Sequence, residues 1–300
     1  MMQVTALATS DACATNRGDA QLSDRPVAIR HLAVILDGNR RWAERLGLQS
    51  IEGYRAGGRN VHALLSWCSE AGIPIVTLWP LSAENLTRDP EELHALLTVI
   101  ADVFEELACS HLWHLRAIGD LSRLPPDAER RIRNAECHTA GIAGLDVNIA
   151  VAYSGRLELL HAIRTLIADH LTAGTVDTLQ TDLGPESIAS RLYTAGQSDP
   201  DLVIRTSGEQ RLSNFMLWQC AFSEFHFTPV CWPDFSRADF EEALTVYRLR
   251  HRRLGNDVSL SRRMVRDPGQ RQDPAGRSRR RGSDERGRML YRTDARVYVT

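Results

Sequence analysis

His31-Leu-Ala-Val-Ile-Leu-Asp37-Gly-Asn-Arg-Arg-Trp42 is the stretch on which the fold turns. Five successive apolar residues, Leu32 to Leu36, are too few for a confident helix and suit a strand covered on both faces. The run stops at an acid, a glycine and an asparagine, and helix-forming residues follow from Arg41 to Arg45. A loop of this kind turns backbone N–H groups toward the strand's carboxyl end, where anions bind well. Arg40 and Arg41 beside those amides favour phosphate, because the guanidinium fork holds phosphate oxygens in a fixed orientation. Asp37 facing the same anion is unfavourable unless a divalent cation lies between them, so the loop calls for diphosphate together with magnesium. An isolated Asp-Gly is more simply an ordinary turn. A second charged loop near the other end of the chain shifts that balance.

Working outward, Val61, Leu64, Leu65 and Cys68 recur at helical spacing between Tyr54 and Ala71, and Gly72 closes that helix. Ile73 to Leu81 reads as a second buried strand running into the polar loop Ser82-Ala-Glu-Asn85-Leu-Thr-Arg88. From Pro90 to Leu112 the apolar residues step by three and four, which predicts a long one-sided helix whose stripe is core or the wall of a ligand tunnel. Strands are expected at 115–119, 145–152 and 201–204, and helices at 127–140, 155–173 and, more weakly, 186–192. Such alternation implies parallel βαβ units with right-handed crossovers in one α/β domain. Ligands then bind beyond the carboxyl ends of the strands, where Asp37, Ser82 and Arg205 would lie.

The fifth strand opens into Arg205-Thr-Ser-Gly208-Glu209-Gln-Arg211-Leu-Ser213-Asn214, which again couples glycine, arginines and hydroxyls. One anion site per loop is the simplest reading, and two diphosphates side by side would explain the pair. In Phe222-Ser-Glu224-Phe-His-Phe227 an acid interrupts an apolar strand. A lone acid there is more often an edge-facing side chain; one returning to the sheet's carboxyl end beside Asp37 would share its magnesium.

Composition bounds the rest. Three hundred residues with 43% hydrophobic content can bury a sizeable core. The net charge of −2 hides twelve arginines against six acids in residues 256–300, so the remainder is acidic and nucleic acid is a poor partner for it. Every basic group is an arginine. Six cysteines show no CxxC or zinc spacing, and most sit among apolar neighbours, which favours buried reduced thiols in a cytoplasmic protein. No signal-peptide pattern and no run of ~18 apolar residues is present. Neither G-x-G-x-x-G nor GxxxxGK[ST] occurs, which disfavours nucleotide-binding folds. The expected organisation is a flexible segment 1–28, a catalytic domain 29–255 and a disordered basic tail 256–300, touching anionic membrane at most peripherally.

Asp37-Gly-Asn-Arg-Arg-Trp42, Ser82-Ala-Glu-Asn85, Arg88, Arg205 to Asn214 with Phe215-Met-Leu-Trp-Gln219, Glu224 and Trp232-Pro-Asp-Phe235 together resemble the cis-prenyltransferase family, of the undecaprenyl diphosphate synthase type. The resemblance spans residues 31–253. It implies a six-stranded, mostly parallel sheet surrounded by helices, a homodimer, and condensation of isopentenyl diphosphate with an allylic diphosphate to form a Z double bond. It implies Asp37 as the magnesium ligand and catalytic group, with Glu224 completing the metal site from the partner-facing side. Gly38, Asn39, Arg40 and Arg41, with Trp42 and nearby Arg88, would hold the allylic substrate. Asn85 with Ser82 would assist proton removal, and Arg205, Arg211 and Ser213 would grip isopentenyl diphosphate.

The chain departs from the family's common pattern at Ser50 and Tyr54, where long-chain members often carry an arginine and a histidine. The runs Trp67 to Ile73 and Ser207 to Ser213 resemble short-chain actinobacterial members that make (2Z,6E)-farnesyl diphosphate. A larger Pro80, where long-chain members usually have a small residue, would cost room in a close-packed wall and favours a short product of about C15. The alternatives are a long-chain polyprenyl diphosphate synthase, a lavandulyl-type branching or cyclising enzyme, and a non-catalytic accessory subunit. The last should have lost Asp37 or the arginines of the second loop. A trans-prenyltransferase or class I terpene cyclase would need an all-helical chain and DDxxD.

Overall fold

In a computed structural model the described residues are 28–253, with side chains described to Arg250. The expectations for the segments 1–27 and 254–300 fall outside them. Six strands form one sheet in the order β3-β4-β2-β1-β5-β6: β1 His31–Ile35, β2 Ile75–Ser82, β3 Trp113–Ile118, β4 Leu145–Tyr153, β5 Leu202–Arg205 and β6 Glu224–Phe227. Every pairing is parallel, so the sheet is wholly rather than mostly parallel. The chain also forms α1 Asn39–Arg45, α2 Ser50–Glu70, α3 Pro90–Ser110, α4 Pro126–Thr139, α5 Gly155–Ala173, α6 Leu179–Asp182, α7 Pro185–Ala189 and α8 Arg237–Arg253.

Alternation along β1 sends Leu32 and Val34 into the larger core, beneath α2, α3, α4 and α8, while Ala33 and Ile35 face a second core built with Trp79, Tyr153, Phe215 and Met216. β1 is buried on both sides, which is why it reads as an unbroken apolar run. From β1 the chain proceeds to β2 on one side, whereas β5, on the other side of β1, leads outward to β6. The loops leaving β1 and β5 therefore diverge, and the crevice between them is the topological switch point at which parallel sheets bind ligands.

Two local features shape the floor of that crevice. The register of β2 on β4 slips between Leu78 and Leu81, around Trp79-Pro80, where proline has no N–H for the ladder. α3 begins at Asp89, whose carboxylate accepts the N–H groups of Glu91 and Glu92 at 3.0 and 3.2 Å, with Pro90 in the first helical position.

Helix α8 was not among the elements expected from the sequence. Its apolar residues Phe240, Ala243, Leu244 and Tyr247 do follow i, i+3, i+4, i+7 and are buried, but acids and arginines surround them and mask the stripe. The cysteines also differ from expectation. All five described are free, yet only Cys68 and Cys220 are buried, while Cys109 and Cys137 lie on exposed helix faces. Apolar neighbours in sequence do not place a helical residue inside; its angle around the axis does. No helix among the described residues is long and apolar enough to cross a membrane.

Candidate active site

A cavity of about 1100 Å³ opens at the carboxyl end of the sheet. Its walls carry Asp37 to Arg41 from the loop and helix after β1, and Ser82, Asn85 and Arg88 from the end of β2 and the turn beyond it. Arg205, Arg211 and Ser213, from the end of β5 and its loop, complete the sequence-predicted groups that line it. The two charged loops thus share one chamber. Gly38 is required where the β1 loop turns: its φ is +104°, and a Cβ would lie 2.8 Å from Ser207 Cβ and 3.0 Å from Cys231 Cα.

Asp37 and Arg205 bind the two loops together. Arg205 donates from Nε at 2.9 Å and from Nη2 at 2.6 Å to the same oxygen, Oδ2 of Asp37. Its Nη1 donates to Ser213 Oγ at 2.8 Å and to the Arg211 carbonyl. The Arg205 side chain is only 5% exposed, against 37% for Asp37. Arg41 bridges the loops a second time, donating to the Ser207 carbonyl at 3.1 Å and to Ser207 Oγ at 2.5 Å. Arg205 is therefore a coupling residue as well as an anion-facing one, a role that loop membership alone does not reveal.

The wall near α2 and α3 holds a second cluster. Tyr54 OH donates to Glu92 Oε1, Arg88 Nη1 lies 3.2 Å from that hydroxyl, and Arg40 Nη1 lies 3.6 Å from the same carboxylate oxygen. Burial, followed by the Glu92 hydrogen bond, pushes the Tyr54 hydroxyl up to about 12, so it remains a neutral donor. Tyr54, Leu36, Asn39 and Pro80 also line a narrow apolar slot of about 50 Å³ that runs between α2 and α3. Val61, Leu78, Leu96, Val99, Ile100, Phe104 and Trp232 close it, so the long stripe of α3 is partly core and partly tunnel wall. Gly57 permits this closeness, since a Cβ there would lie 2.3 Å from Asn39 Oδ1. That oxygen is buried and has no hydrogen-bond partner among the described residues.

Asn85 and Ser82 meet in a tight turn, the Asn85 N–H donating to Ser82 Oγ at 3.1 Å. Across the chamber, Asn214 fastens the second loop to the start of α5. Its carbonyl accepts the Gly155 N–H at 2.8 Å, its Oδ1 accepts the Arg156 N–H at 2.9 Å, and its Nδ2 donates to Glu84 and Ser154. The partial burial of Glu84 opposes ionisation. Hydrogen bonds from its own backbone, Asn214, Ser82 and Ser154 outweigh that and hold its carboxyl below the usual range.

Two expected site residues are not brought into the chamber. Trp42 turns away and donates from Nε1 to Asp234 at 2.6 Å, so it lines neither cavity. Glu224 pairs in register with Leu202 and not with Arg205, which places it at the amino end of edge strand β6, roughly 10 Å of strand from the level of Arg205. There it is bound by Arg250 at 3.2 Å. Within this chain the two carboxylates expected to share a metal do not meet.

The chamber also contains groups to which the sequence reading gave no role: Tyr54, with Glu92 beside it, Glu84, Arg123 and Arg156. Arg123 and Arg156 follow β3 and β4 as Asp37 follows β1, so the rule that charges after strand ends face the ligand would have found them. Among the described residues no three His, Cys, Asp or Glu side chains converge to hold a metal. One carboxylate facing two arginine-bearing loops does suit magnesium, which keeps its waters and binds through one or two carboxylates plus substrate phosphates. Asp37 Oδ2 is taken by Arg205, while Oδ1 accepts no hydrogen bond among the described residues.

Residues 35–255 match the family model described as putative undecaprenyl diphosphate synthase. The chain is 50% identical over 229 residues to a short-chain Z-isoprenyl diphosphate synthase of Mycobacterium leprae, covering 75% of this chain and 87% of that one. It is 48% identical over 239 residues to a (2Z,6E)-farnesyl diphosphate synthase of Mycobacterium tuberculosis, covering 79% and 90%. Among solved structures, lavandulyl diphosphate synthase from Lavandula x intermedia in complex with dimethylallyl diphosphate superposes with a TM-score of 0.70 at 36% identity, over 74% of this chain and 95% of that one.

Proposed function

Because the chain belongs to the cis-prenyltransferase family, we propose that it joins isopentenyl diphosphate to a short allylic diphosphate and makes a farnesyl-length Z product. The observation that carries this reading is a pair of adjoining cavities of two characters that share part of one wall. An arginine-lined chamber of about 1100 Å³ and an apolar slot of about 50 Å³ are both lined by Leu36, Asn39, Tyr54 and Pro80. A prenyl diphosphate has the same division between charged head and apolar tail.

In the reaction the allylic C1–O bond breaks, C4 of isopentenyl diphosphate bonds to C1, and a proton leaves C2. Arg40, Arg41 and Arg88 hold the allylic head with its tail in the slot. Arg211 and Ser213 hold isopentenyl diphosphate on the second loop. Arg205 fixes the spacing of the two heads, because it grips Asp37 on one side and Ser213 on the other. Asp37 would hold magnesium, which would supply positive charge against the departing diphosphate. Ser82 and Asn85 are too weakly basic to take the proton outright; their part is to hydrogen-bond along its path toward a diphosphate oxygen.

The slot supports the short product. A benzene-sized guest needs roughly 150 Å³ of apolar cavity and this slot has about 50 Å³, so even a short tail must part its walls and a longer one must part the packed side chains of α2 and α3 further. α5 also bears an exposed apolar row, Leu157, Leu160, Ile163, Ile167 and Leu171, which supports a homodimer closed over this face.

The test is incubation of the purified protein with isopentenyl diphosphate, magnesium and each allylic primer from dimethylallyl to geranylgeranyl diphosphate. A Z,E-farnesyl-length product that disappears with EDTA and returns with magnesium is expected. Branched or cyclic products, or long polyprenyl chains, would overturn the reading of regular short-chain condensation.

A further inference from the structure

The cavity arginines are not equally available to a ligand. Arg205 is committed to Asp37, Arg40 and Arg88 to Glu92, and Arg41 and Arg211 to Glu209. Arg123, after β3, and Arg156, in the first turn of α5, also line the chamber, yet their guanidinium groups make no hydrogen bond or ion pair among the described residues. Both are exposed. The acid on their side of the chamber, Glu84, is occupied by Asn214 at 2.7 Å.

This asymmetry has a kinetic meaning. A diphosphate reaching any of the five committed arginines must compete with a carboxylate already bound to it, whereas two unpaired guanidinium groups attract an anion from solution without displacing anything. Such attraction acts over about a Debye length and raises the encounter rate more than the final affinity. Arg156 also shares its anchor with the second loop, since Asn214 accepts the Arg156 N–H and sits next to Ser213. The arginines assigned to the allylic head lie instead on α1 and just before α3.

We propose that Arg123 and Arg156 form a capture subsite for the diphosphate head of isopentenyl diphosphate, from which it passes to Arg211 and Ser213. The subsite rests on the prenyltransferase reading for the identity of its substrate. Its physical content is a diphosphate-binding pair at the open side of the chamber.

The test is the doubly neutralised variant R123Q/R156Q, whose substitutions are exposed and should leave the melting temperature in place. With allylic primer saturating, kcat/KM for isopentenyl diphosphate should fall roughly three- to tenfold at low ionic strength, and the gap should close as salt rises. The kcat at saturating isopentenyl diphosphate should stay within about twofold and the primer KM should not move, as befits a rim charge acting on encounter. Inorganic diphosphate, titrated calorimetrically without primer, should bind the wild type more tightly than the variant at low salt. An unchanged salt dependence, a matching loss in kcat, or equal weakening of the primer would overturn the proposal. If the wild type condenses no primer at all, the prenyltransferase reading falls, and the inorganic diphosphate titration still decides the subsite.

Discussion

Replacing Asp37 removes the oxygen proposed to face magnesium and also the counter-charge of a guanidinium that is only 5% exposed. Asp37→Asn keeps an amide oxygen as an acceptor for Arg205 but loses both the charge that a metal needs and the counter-charge of the guanidinium. Turnover of this variant should fall by at least about two orders of magnitude, as for loss of a group that stabilises developing charge. Its melting temperature should fall, because a nearly buried guanidinium loses its counter-charge, but the fold should persist; near-normal turnover would refute the role of Asp37. The effects of the second loop's arginines do separate. Arg211→Ala should raise the KM for isopentenyl diphosphate about tenfold, the weaker end of a charged hydrogen bond's worth, because Arg211 is 62% exposed. Arg205→Ala should weaken both substrates and lower kcat, since it frees Asp37 and Ser213 together. A pure isopentenyl diphosphate effect in Arg205→Ala would mean that its contact with Asp37 does not matter in the working enzyme.

At the scale of elements, the proposed limit on product length lies where the irregular end of β2 meets α2 and α3. Pro80 stands at the register slip and lines both cavities. Pro80→Ala should open the slot and lengthen the product by an isoprene unit, read by chain-length analysis with isopentenyl diphosphate saturating. An unchanged product would move the stop deeper, toward Phe104. Gly58 supplies the opposite test. A Cβ there would sit 2.9 Å from Val103 Cγ2, and valine has little rotamer freedom on a helix, so Gly58→Ala should narrow the slot and favour the shortest primer. Equal use of dimethylallyl and geranyl diphosphate by that variant would show that α2 and α3 separate freely.

For the whole molecule, two properties depend on groups far from the chamber. His31 is fully buried between Thr77 and the Ser198 carbonyl, and desolvation by burial brings it down to about 4. The unfolded chain binds its proton near the usual 6.5 and the folded chain does not. Stability is therefore whole above pH 6.5 and declines as pH falls toward 4, by up to about 3 kcal/mol from this residue. Urea midpoints measured across that window should drop, and a wild-type midpoint flat over it would contradict the assignment. On the exposed face of α5, Ile163→Glu should give a monomer in sedimentation, with a dimer expected for wild type. A monomeric wild type would leave that row to some other partner.

The alternation of strands and helices, the arginine-bearing loops and the residues of the Asp37 and Arg205 segments are all legible in the amino-acid sequence. They are local: an apolar run ending in Asp-Gly-Asn-Arg-Arg is a strand and its terminal loop wherever it folds. Other properties depend on register and on the angle of a side chain around its helix, which residues distant in sequence determine. Strand order β1-β5 brings Asp37 against Arg205 across 168 positions of sequence, and parallel pairing with Leu202 leaves Glu224 at the far end of the sheet. The turn of α1 carries Trp42 to Asp234 and out of the chamber. Which arginines are paired and which stand free was likewise decided only in three dimensions, because pairing depends on where the carboxylates of other elements arrive.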